Sequence, residues 1–442
     1  MLFRSGINLR VKSDEQGKNE AQRFDTAWRC KNCGASGVAR YKYSHDDIRC
    51  YCCGEAVPFA EQQTVLTPAG FLTDFFEDSD NDVSSQTFVP THAPRVQLNG
   101  TIAALPQPDC GEIRYGSGGE VLFRSGGKHE NGFAVCMRCG RADSMTEDNE
   151  LPTVFSGDYH KTLGGGLDMG SKNKDCPNSN VQRNIHLSHR IQTDVLEIAL
   201  KNPQTKAWLD SGNKTAARTI AVAVRDEIAA CLGIETTEMG YAVREDKDLE
   251  TGTVRCLIQI YDQAAGGAGF VLSAVDDING VLSRALGRLS CPADCGSVCQ
   301  HCLAGGDSNV EREELDRHQA LQWLEEAKFN QHLKLPASIS RIAGSRYCAR
   351  TPIAELEKRI LEMQGGKLLI FVHQTDNYWD SPEIKAQLMK WHMLYQIQPV
   401  FCFTQAAWIN DNNIRELFHP FIQAGWQVAI ASADIEIGRA HV

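Results

Sequence analysis

The chain has 442 residues, of which 42% are hydrophobic and 23% are charged, and 45 Lys and Arg against 56 Asp and Glu give a net charge of −11. This length exceeds the roughly 250–300 residues at which a single core stops growing, so we expect two to four domains. The negative charge excludes a global basic field for nucleic acid, and any such contact has to be local.

The cysteine content suggests metal sites. No apolar run approaches the ~20 residues of a membrane span, and the N-terminal residues lack the apolar segment of a signal peptide. We therefore expect a cytoplasmic protein without membrane contact, whose 17 cysteines are reduced. In a reducing compartment, clustered cysteines are metal ligands more often than disulfides.

The first cysteine group consists of Cys30-Lys-Asn-Cys33 and Cys50-Tyr-Cys52-Cys53. Two C-x-x-C pairs at this separation are typical of a zinc ribbon, because each pair turns its thiolates toward one point and a tetrahedral ion closes the loop. We predict Cys30, Cys33, Cys50 and Cys53 as ligands. Cys52 in place of Cys50 is the alternative.

The second group, Cys136-Met-Arg-Cys139, supplies only half of a site. Its other two ligands have to come from elsewhere in the chain, and the nearest downstream candidates are His160 and Cys176. The rival candidates are His129, Cys110, His186 and His189.

The sequence predicts a strand at 193–200 and another at 253–262, with a buried helix at 215–232 between them. The glycine-rich segment 261–270 joins the second strand to the next helix, and we interpret it as a tight turn with Asp262 as a turn or cap residue. No phosphate-binding loop of the G-x-x-x-x-G-K-[ST] type is present, so we do not expect the chain to hydrolyse ATP by itself.

The third group follows a predicted helix at 270–290, and Pro292 marks its end. Cys291, Cys295, Cys299 and Cys302 are spaced closely enough to hold one ion. A closed site of four thiolates leaves no open position for water or substrate, so we predict structural zinc. An iron–sulfur cluster also takes four thiolates, but nothing else in the sequence suggests redox work.

From Gly365 onward, strands alternate with helices. The sequence predicts strands at 367–373, 399–404 and 427–433, with helices at 381–396 and 412–426 between them. This order indicates a parallel βαβαβ unit cut off within its domain.

Several of these segments together resemble the MrfA-like zinc-binding (MZB) family, which occurs in large superfamily 2 DEAD/DEAH-type helicases and in stand-alone partners of bacterial anti-phage systems. The matching segments span about 130–325 and are "GFAVCMRCGRA", His160 with Cys176, "LSHRIQTDVLEI", "IYDQAAGGAGF", "CPADCGSVCQHCL" and "LDRHQALQWL". The resemblance implies a second zinc site of Cys136, Cys139, His160 and Cys176, and therefore about three zinc ions. A ribbon before this region is similar to that of long defence helicases of the Druantia or DISARM kind, although the helicase core is missing here.

The resemblance implies a zinc-organised scaffold of a DNA helicase that contacts DNA or a partner, in anti-phage defence or DNA repair. The helicase core, which hydrolyses ATP, lies on the same chain or on a separate one. In the second case the chain is a stand-alone, non-enzymatic subunit. A further alternative is that the C-terminal unit begins a phospholipase-D-like nuclease.

Candidates for contact with DNA are a few basic groups near the zinc sites. They are His189 and Arg190 beside the strand at 193–200, with Arg341, Arg346 and Arg350 in "SRIAGSRYCAR".

The predicted fold class is α/β (mixed α+β), with zinc-stabilised modules followed by the truncated βαβαβ unit. The expected divisions are a zinc ribbon at 1–60, a β-rich linker region at 61–130, an MrfA-like zinc-binding domain at 131–335, a helical linker at 336–364 and the βαβαβ domain at 365–436. Residues 437–442 correspond to ATC GGA AGA GCA CAC GTC, a common sequencing-library adapter, and we interpret them as an artefact.

Overall fold

The computed structural model describes residues 5–7, 23–40, 48–68, 71–73, 91–98, 100–105, 108–162, 175–248, 251–303, 313–335, 337–341, 345, 352–363, 365–372, 381–404 and 412–431. The chain divides into two compact units, Met1–Ala349 and Arg350–Val442. The finer division into modules stays a prediction. The interpretation of 437–442 concerns residues outside the described part. No helix in the described ranges is long and apolar enough to cross a membrane.

The first unit is built on a mixed sheet of eleven strands. Its strands are β2 (Arg23–Arg29), β3 (Ser36–Arg40), β4 (Gln62–Thr67), β6 (Thr91–Gln97), β7 (Thr101–Ala104), β8 (Gly111–Ser125), β9 (Phe133–Cys136), β10 (Ala142–Ser144), β13 (Val181–Leu200), β14 (Met239–Lys247) and β15 (Val254–Asp262). Two small sheets accompany it, β1 (Ser5–Ile7) with β5 (Phe71–Thr73) and β11 (Tyr159–Lys161) with β12 (Asp175–Pro177).

Strand β13 is the centre of the sheet. It pairs antiparallel with β8, β9 and β15 and parallel with β4. The sequence predicted only its second half as a strand, but pairing begins at Val181. The first half contains more polar residues because several of its positions, such as 182–184, are exposed, while residues 193–200 are buried throughout, as expected for a strand covered on both faces.

The sheet curls on itself, so that β3 lies close to β6. A Cβ atom at Gly37 of β3 would lie 2.8 Å from the Gln97 side chain of β6. Inside the curl, Ala27, Val65 and Leu122 form a small apolar layer.

Helices cover the other part of the sheet and form the main core with it. They are α1 (Lys214–Leu232), α2 (Phe270–Ala274), α3 (Ile278–Leu289), α4 (Arg317–Glu326) and α5 (Phe329–His332). A further short helix, α6 (Ala337–Ser340), follows α5 in the chain. Helix α1 is buried along most of its length, because its small residues Ala217, Ala221 and Ala223 let neighbouring elements approach closely.

The helix predicted at 270–290 is divided. A 3-10 turn at Val275–Asp277 separates α2 from α3, and Asp277 adopts φ −130° and ψ 41°, outside the α-helical region. Its carboxylate forms an exposed ion pair with Arg284, in which Oδ2 lies 3.1 Å from Nη1.

The second unit contains α7 (Pro352–Met363), β16 (Gly366–Phe371), α8 (Pro382–Tyr395), β17 (Ile397–Thr404), α9 (Asn412–Gln423) and β18 (Gln427–Ala431). The three strands are parallel, in the order β16, β17, β18. Phe401 of β17 packs on Phe418 and Phe421 of α9. The predicted mixed α/β class is therefore confirmed, with alternating strands and helices at this end.

Candidate metal centres

Among the described residues, the structure brings together three groups of four metal-binding side chains. In each group the ligand atoms lie within 4.8 Å of one another, and all three groups belong to the first unit. The groups are Cys30, Cys33, Cys50 and Cys53; Cys136, Cys139, His160 and Cys176; and Cys291, Cys295, Cys299 and Cys302.

The distances between sulfur atoms fit a tetrahedral zinc ion. Sulfur atoms about 2.3 Å from such an ion are about 3.8 Å apart, whereas a disulfide has a bond of about 2.05 Å. The separation is 3.6 Å for Cys30 and Cys53 and 3.5 Å for Cys33 and Cys50. In the other groups the sulfur pairs lie 3.5–3.9 Å apart.

Three of the turns that carry these cysteines share one backbone geometry. In each Cys-x-x-Cys pair, the N–H of the following residue donates to the carbonyl of the first cysteine at 2.8–2.9 Å. That following residue is a glycine with φ between 74° and 81°, a conformation that other residues rarely adopt. The three glycines are Gly34, Gly54 and Gly140.

In the first group, the turn at Cys30–Cys33 rests against β14. A Cβ atom at Gly34 would lie 1.9 Å from the Glu245 carbonyl oxygen, so only glycine permits this approach. The Lys247 N–H donates to the Cys33 carbonyl at 3.2 Å. Cys52 does not join the group; its N–H points to Cys50 Sγ at 3.4 Å, so the geometry favours Cys50 over the alternative.

In the second group, a short hairpin presents two of the four ligands. His160 and Cys176 lie directly opposite each other in β11 and β12, although fifteen residues separate them in the chain. Cys136 ends β9, and its Sγ lies 3.6 Å from Cys176 Sγ. His160 Nε2 lies 3.2 Å from Cys139 Sγ.

Asn178 orients the histidine of this group. Its Oδ1 lies 2.5 Å from His160 Nδ1, and its Nδ2 donates to the carbonyls of Phe155 and Gly157 at 2.7 and 2.8 Å. Because those carbonyls fix the amide orientation, Nδ1 has to be the donor and Nε2 is left to bind a metal. Sequence reasoning missed Asn178, and its only signal is its position two residues after Cys176.

The rival ligands for the second group lie elsewhere. His129 is in an exposed turn, and His186 and His189 are in β13. Cys110 lies in the main core, where burial raises the pKa of its thiol to about 11. None of the four is among the atoms that converge on this site.

In the third group, a loop after α3 is tied to helix α4. Cys291 Sγ lies 3.5 Å from Cys299 Sγ, and Cys295 Sγ lies 3.7 Å from Cys302 Sγ. The side chain of Arg317, at the start of α4, is buried among the loop carbonyls, and Asp316 caps the same helix by accepting from the backbone N–H groups of its first turn. Sequence reasoning quoted these residues for the resemblance but did not assign them this role.

One thiol in each group has a lowered pKa. A hydrogen bond from Cys139 is the main cause at Cys136 and lowers the pKa of its thiol to about 4, and the backbone N–H of Cys295 is the main cause at Cys291, whose pKa falls to about 6. Burial raises the pKa of Cys53, but hydrogen bonds from Glu55 and Asn32 outweigh it and lower the value to about 7. One member of each group therefore favours the thiolate, the form that binds zinc, whereas the pKa of Cys139 is raised by its hydrogen bond to Cys136 and that of Cys302 by burial.

In the glycine-rich turn before α2, the backbone N–H groups nearest the helix are occupied by side chains of the protein itself. Asp262 accepts from the backbone N–H groups of Ala268, Phe270 and Val271 at 2.8–3.1 Å. Asp194 accepts from Gly269 at 3.0 Å. This agrees with the prediction of a tight turn in which Asp262 is a cap residue.

Three of the five candidate DNA-contacting residues, His189, Arg190 and Arg341, are described residues of the first unit. His189 is exposed on β13, while Arg190 Nη1 lies 3.2 Å from Glu120 Oε2, which neutralises part of its charge. Arg341 is exposed, and Arg346 lies outside the described residues. Arg350 also lies outside them, at the first position of the second unit.

Residues 220–303, which contain the third cysteine group, match the model of the MrfA Zn-binding domain (MZB) family. The chain thus carries an MrfA-like zinc-binding region, and this part of the predicted resemblance is confirmed. Together with the three cysteine-rich groups, the match supports the predicted content of about three zinc ions. The wider boundaries, 131–335, stay a prediction.

Among curated proteins, the Druantia protein DruE of Escherichia coli (strain UMEA 4076-1) is 25% identical over 307 residues, which are 61% of this chain and 15% of DruE. The chain therefore spans less than a sixth of the length of that relative. Among solved structures, the crystal structure of the DUF1998 helicase MrfA bound to DNA has a TM-score of 0.29 and 12% identity, covering 54% of this chain and 25% of that one.

Proposed function

We propose that this chain is a zinc-organised accessory region of a DNA helicase, which holds contacts to DNA or to a partner while ATP turnover takes place on a helicase core in cis or in trans. The family match at 220–303 carries the proposal, because it includes the complete third cysteine group. The likeness to DruE favours a role in anti-phage defence, and DNA repair is the alternative setting.

The chemistry of the groups supports a structural role for the metal. Each supplies four protein ligands, so a tetrahedral ion has no open position for water or substrate. Each of three zinc ions would be held by one group of four residues. The groups are Cys30, Cys33, Cys50 and Cys53; Cys136, Cys139, His160 and Cys176; and Cys291, Cys295, Cys299 and Cys302. Zinc would supply folding energy to these loops when bound.

DNA binding tests the proposal. Single-stranded DNA is titrated at two salt concentrations, and we expect modest affinity that falls steeply with salt, because only a few phosphates are neutralised against the net charge of −11. The Arg341→Glu/Arg346→Glu/Arg350→Glu variant should bind more weakly with its zinc content intact. The matched control is Lys214→Glu, an exposed change at the start of α1.

Binding that is indifferent to salt and to charge reversal would remove the DNA-contacting role. A role as partner-binding subunit would then be favoured, and its test is co-purification with a separately produced helicase core.

A further inference from the structure

Three arginines face the inside of the curled sheet. Side chains two residues apart on a strand lie on the same face, as do directly opposed residues of neighbouring strands. Ala27 and Leu122 pack inside the curl, so Arg29 of β2 and Arg124 of β8 also face inward. Arg95 of β6 is directly opposite Leu122 and shares that face.

Two of these arginines meet at one neutral acceptor. Arg95 Nη2 donates to Gln63 Oε1 at 3.2 Å, and Arg124 Nη1 donates to the same oxygen. Arg95 Nη1 and Arg124 Nε are buried and have no hydrogen-bond partner among the described residues. An amide oxygen therefore satisfies two guanidinium groups only in part.

Acidic groups lie near this charge, among them the buried Asp25, which shares the inward face of β2 with Ala27, but the three arginines have no direct ion pair among the described residues. Within the described ranges, no carboxylate forms an ion pair with Arg29, Arg95 or Arg124. The negative charge of Glu61 raises the pKa of Arg95 from a distance, but Glu61 itself forms an ion pair with Lys31 at 3.1 Å. The negative charge of Glu130 likewise raises the pKa of Arg124 without forming an ion pair with it.

The electrostatic result is a depressed pKa at both of these half-buried arginines. Burial, followed by the charges of Arg124 and Arg29, lowers the pKa of Arg95 to about 9. Burial and the charge of Arg29 lower that of Arg124 to about 10, against the pull of Glu130. Buried like charges without a counterion cost free energy, and an anion between them would offset that cost.

We propose that Arg29, Arg95 and Arg124 form a binding site for a phosphate group. The planar guanidinium presents paired donors that match phosphate oxygens, and two such donors lack a partner here. The phosphate belongs either to a nucleic-acid backbone or to a free ion. If the phosphate belongs to a nucleic-acid backbone, this proposal rests on the proposed DNA-contacting function and adds a binding site to it. The binding of phosphate as such does not depend on that function.

The first arm of the test uses inorganic phosphate. Thermal unfolding of the full chain is followed while sodium phosphate replaces sodium chloride at constant ionic strength. The wild type should show a saturable rise in Tm, since a ligand that binds only the folded state stabilises it. Phosphate also stabilises proteins generally, so the rise is compared with that of Arg95→Gln, Arg124→Gln and the exposed control Arg183→Gln.

We expect the saturable rise to persist in Arg183→Gln and to disappear in the other two variants. Without phosphate, Arg124→Gln should unfold at the same or a higher temperature than the wild type, because it removes a half-buried charge. If either variant fails to retain zinc, Arg29→Gln at the exposed end of β2 gives the same comparison. An equal rise in Tm in all of these proteins would overturn the proposal. It would also be overturned if the wild type showed no rise in Tm and the variants bound DNA with unchanged affinity.

The second arm separates the two sources of phosphate. Affinity for a single-stranded oligonucleotide should fall about tenfold or more in Arg95→Gln and Arg124→Gln, with a salt slope smaller by about one. Weaker DNA binding in these variants supports a backbone phosphate. Loss of the phosphate effect alone, in a protein that binds no DNA, supports a site for a free ion and contradicts the proposed function instead.

Discussion

The guanidinium of Arg317 donates from Nε to the carbonyl oxygen of Cys295 at 2.7 Å, within the third cysteine group. The same side chain contacts the Leu289 carbonyl at the end of α3 and Asp294 Oδ1 at 2.7 Å. One buried arginine therefore connects the end of one helix, the metal-binding loop and the start of the next helix. The loop and α4 should consequently fold as one unit with the metal site.

Removal of one thiolate from this group tests that coupling. We expect Cys299→Ala to unfold the region around 285–325, because a closed zinc site contributes folding energy and takes no part in a chemical step. Hydrogen exchange measured by segment reports the change, and the control is Cys52→Ala, because Cys52 lies outside the three convergent groups. Unchanged protection together with lost activity would indicate a catalytic or redox site.

Elemental analysis of the purified protein should find about three zinc ions per chain. Cys53→Ser should reduce this number by about one, because a thiolate ligand is lost. Cys52→Ser should leave it unchanged, since Cys52 lies outside the convergent group. A wild-type content near one would contradict both the ribbon and the second group as zinc sites.

The second group should depend on Asn178. Replacement of Asn178 by Ala removes the acceptor that fixes the His160 ring, and loss of such an orienting contact typically lowers metal affinity about 10–100-fold. Competition with a chromophoric chelator measures the affinity of the most weakly held ion. Asn180→Ala, two residues away, should have no comparable effect, and equal affinities for both variants would contradict the assignment.

Glu227 of α1 connects this helix to α3. Its Oε1 accepts from Arg284 Nε at 2.8 Å and its Oε2 accepts from Arg288 Nε at 2.7 Å. We expect Glu227→Gln to lower the free energy of unfolding by about 1–3 kcal/mol, because hydrogen bonds between charged groups are lost. Denaturant unfolding measures this change, with the exposed Glu238→Gln as control.

The effect of Glu227 should depend on pH. Burial raises the pKa of this carboxyl, but the hydrogen bonds from Arg288, Cys231 and Arg284 outweigh burial and hold the folded-state pKa below its usual value. The stabilisation is therefore complete above the unfolded-state pKa, about 4.3, and is lost as the pH falls through the lower folded-state value. A difference between wild type and variant that grows on acidification would contradict this prediction.

The chain by itself should not hydrolyse ATP, because its sequence contains no phosphate-binding loop of the known type. A coupled ATPase assay with and without single-stranded DNA tests this. Turnover that remains with the protein through a second purification would show that another nucleotide site exists.

Local patterns sufficed for part of the structure. The turns at Cys30–Cys33, Cys50–Cys53 and Cys136–Cys139 are short, and each contains its own hydrogen bonds and a glycine that permits φ near 75–80°. The helix at 214–232 and the parallel strands of the second unit follow from apolar periodicity and strand–helix order. These features depend on residues a few positions apart, so the sequence predicts them.

The sequence alone determined that the chain has clustered thiols suited to zinc and a mixed α/β composition, since spacing and periodicity are local properties. Only the tertiary structure decided which distant residues share a site. The antiparallel pairing of β11 and β12 places His160 opposite Cys176, and the curl of the sheet gathers Arg95 and Arg124 around Gln63. Sequence spacing does not report such contacts, because strand pairing between remote segments fixes them and the side chains themselves carry no signal of their partners.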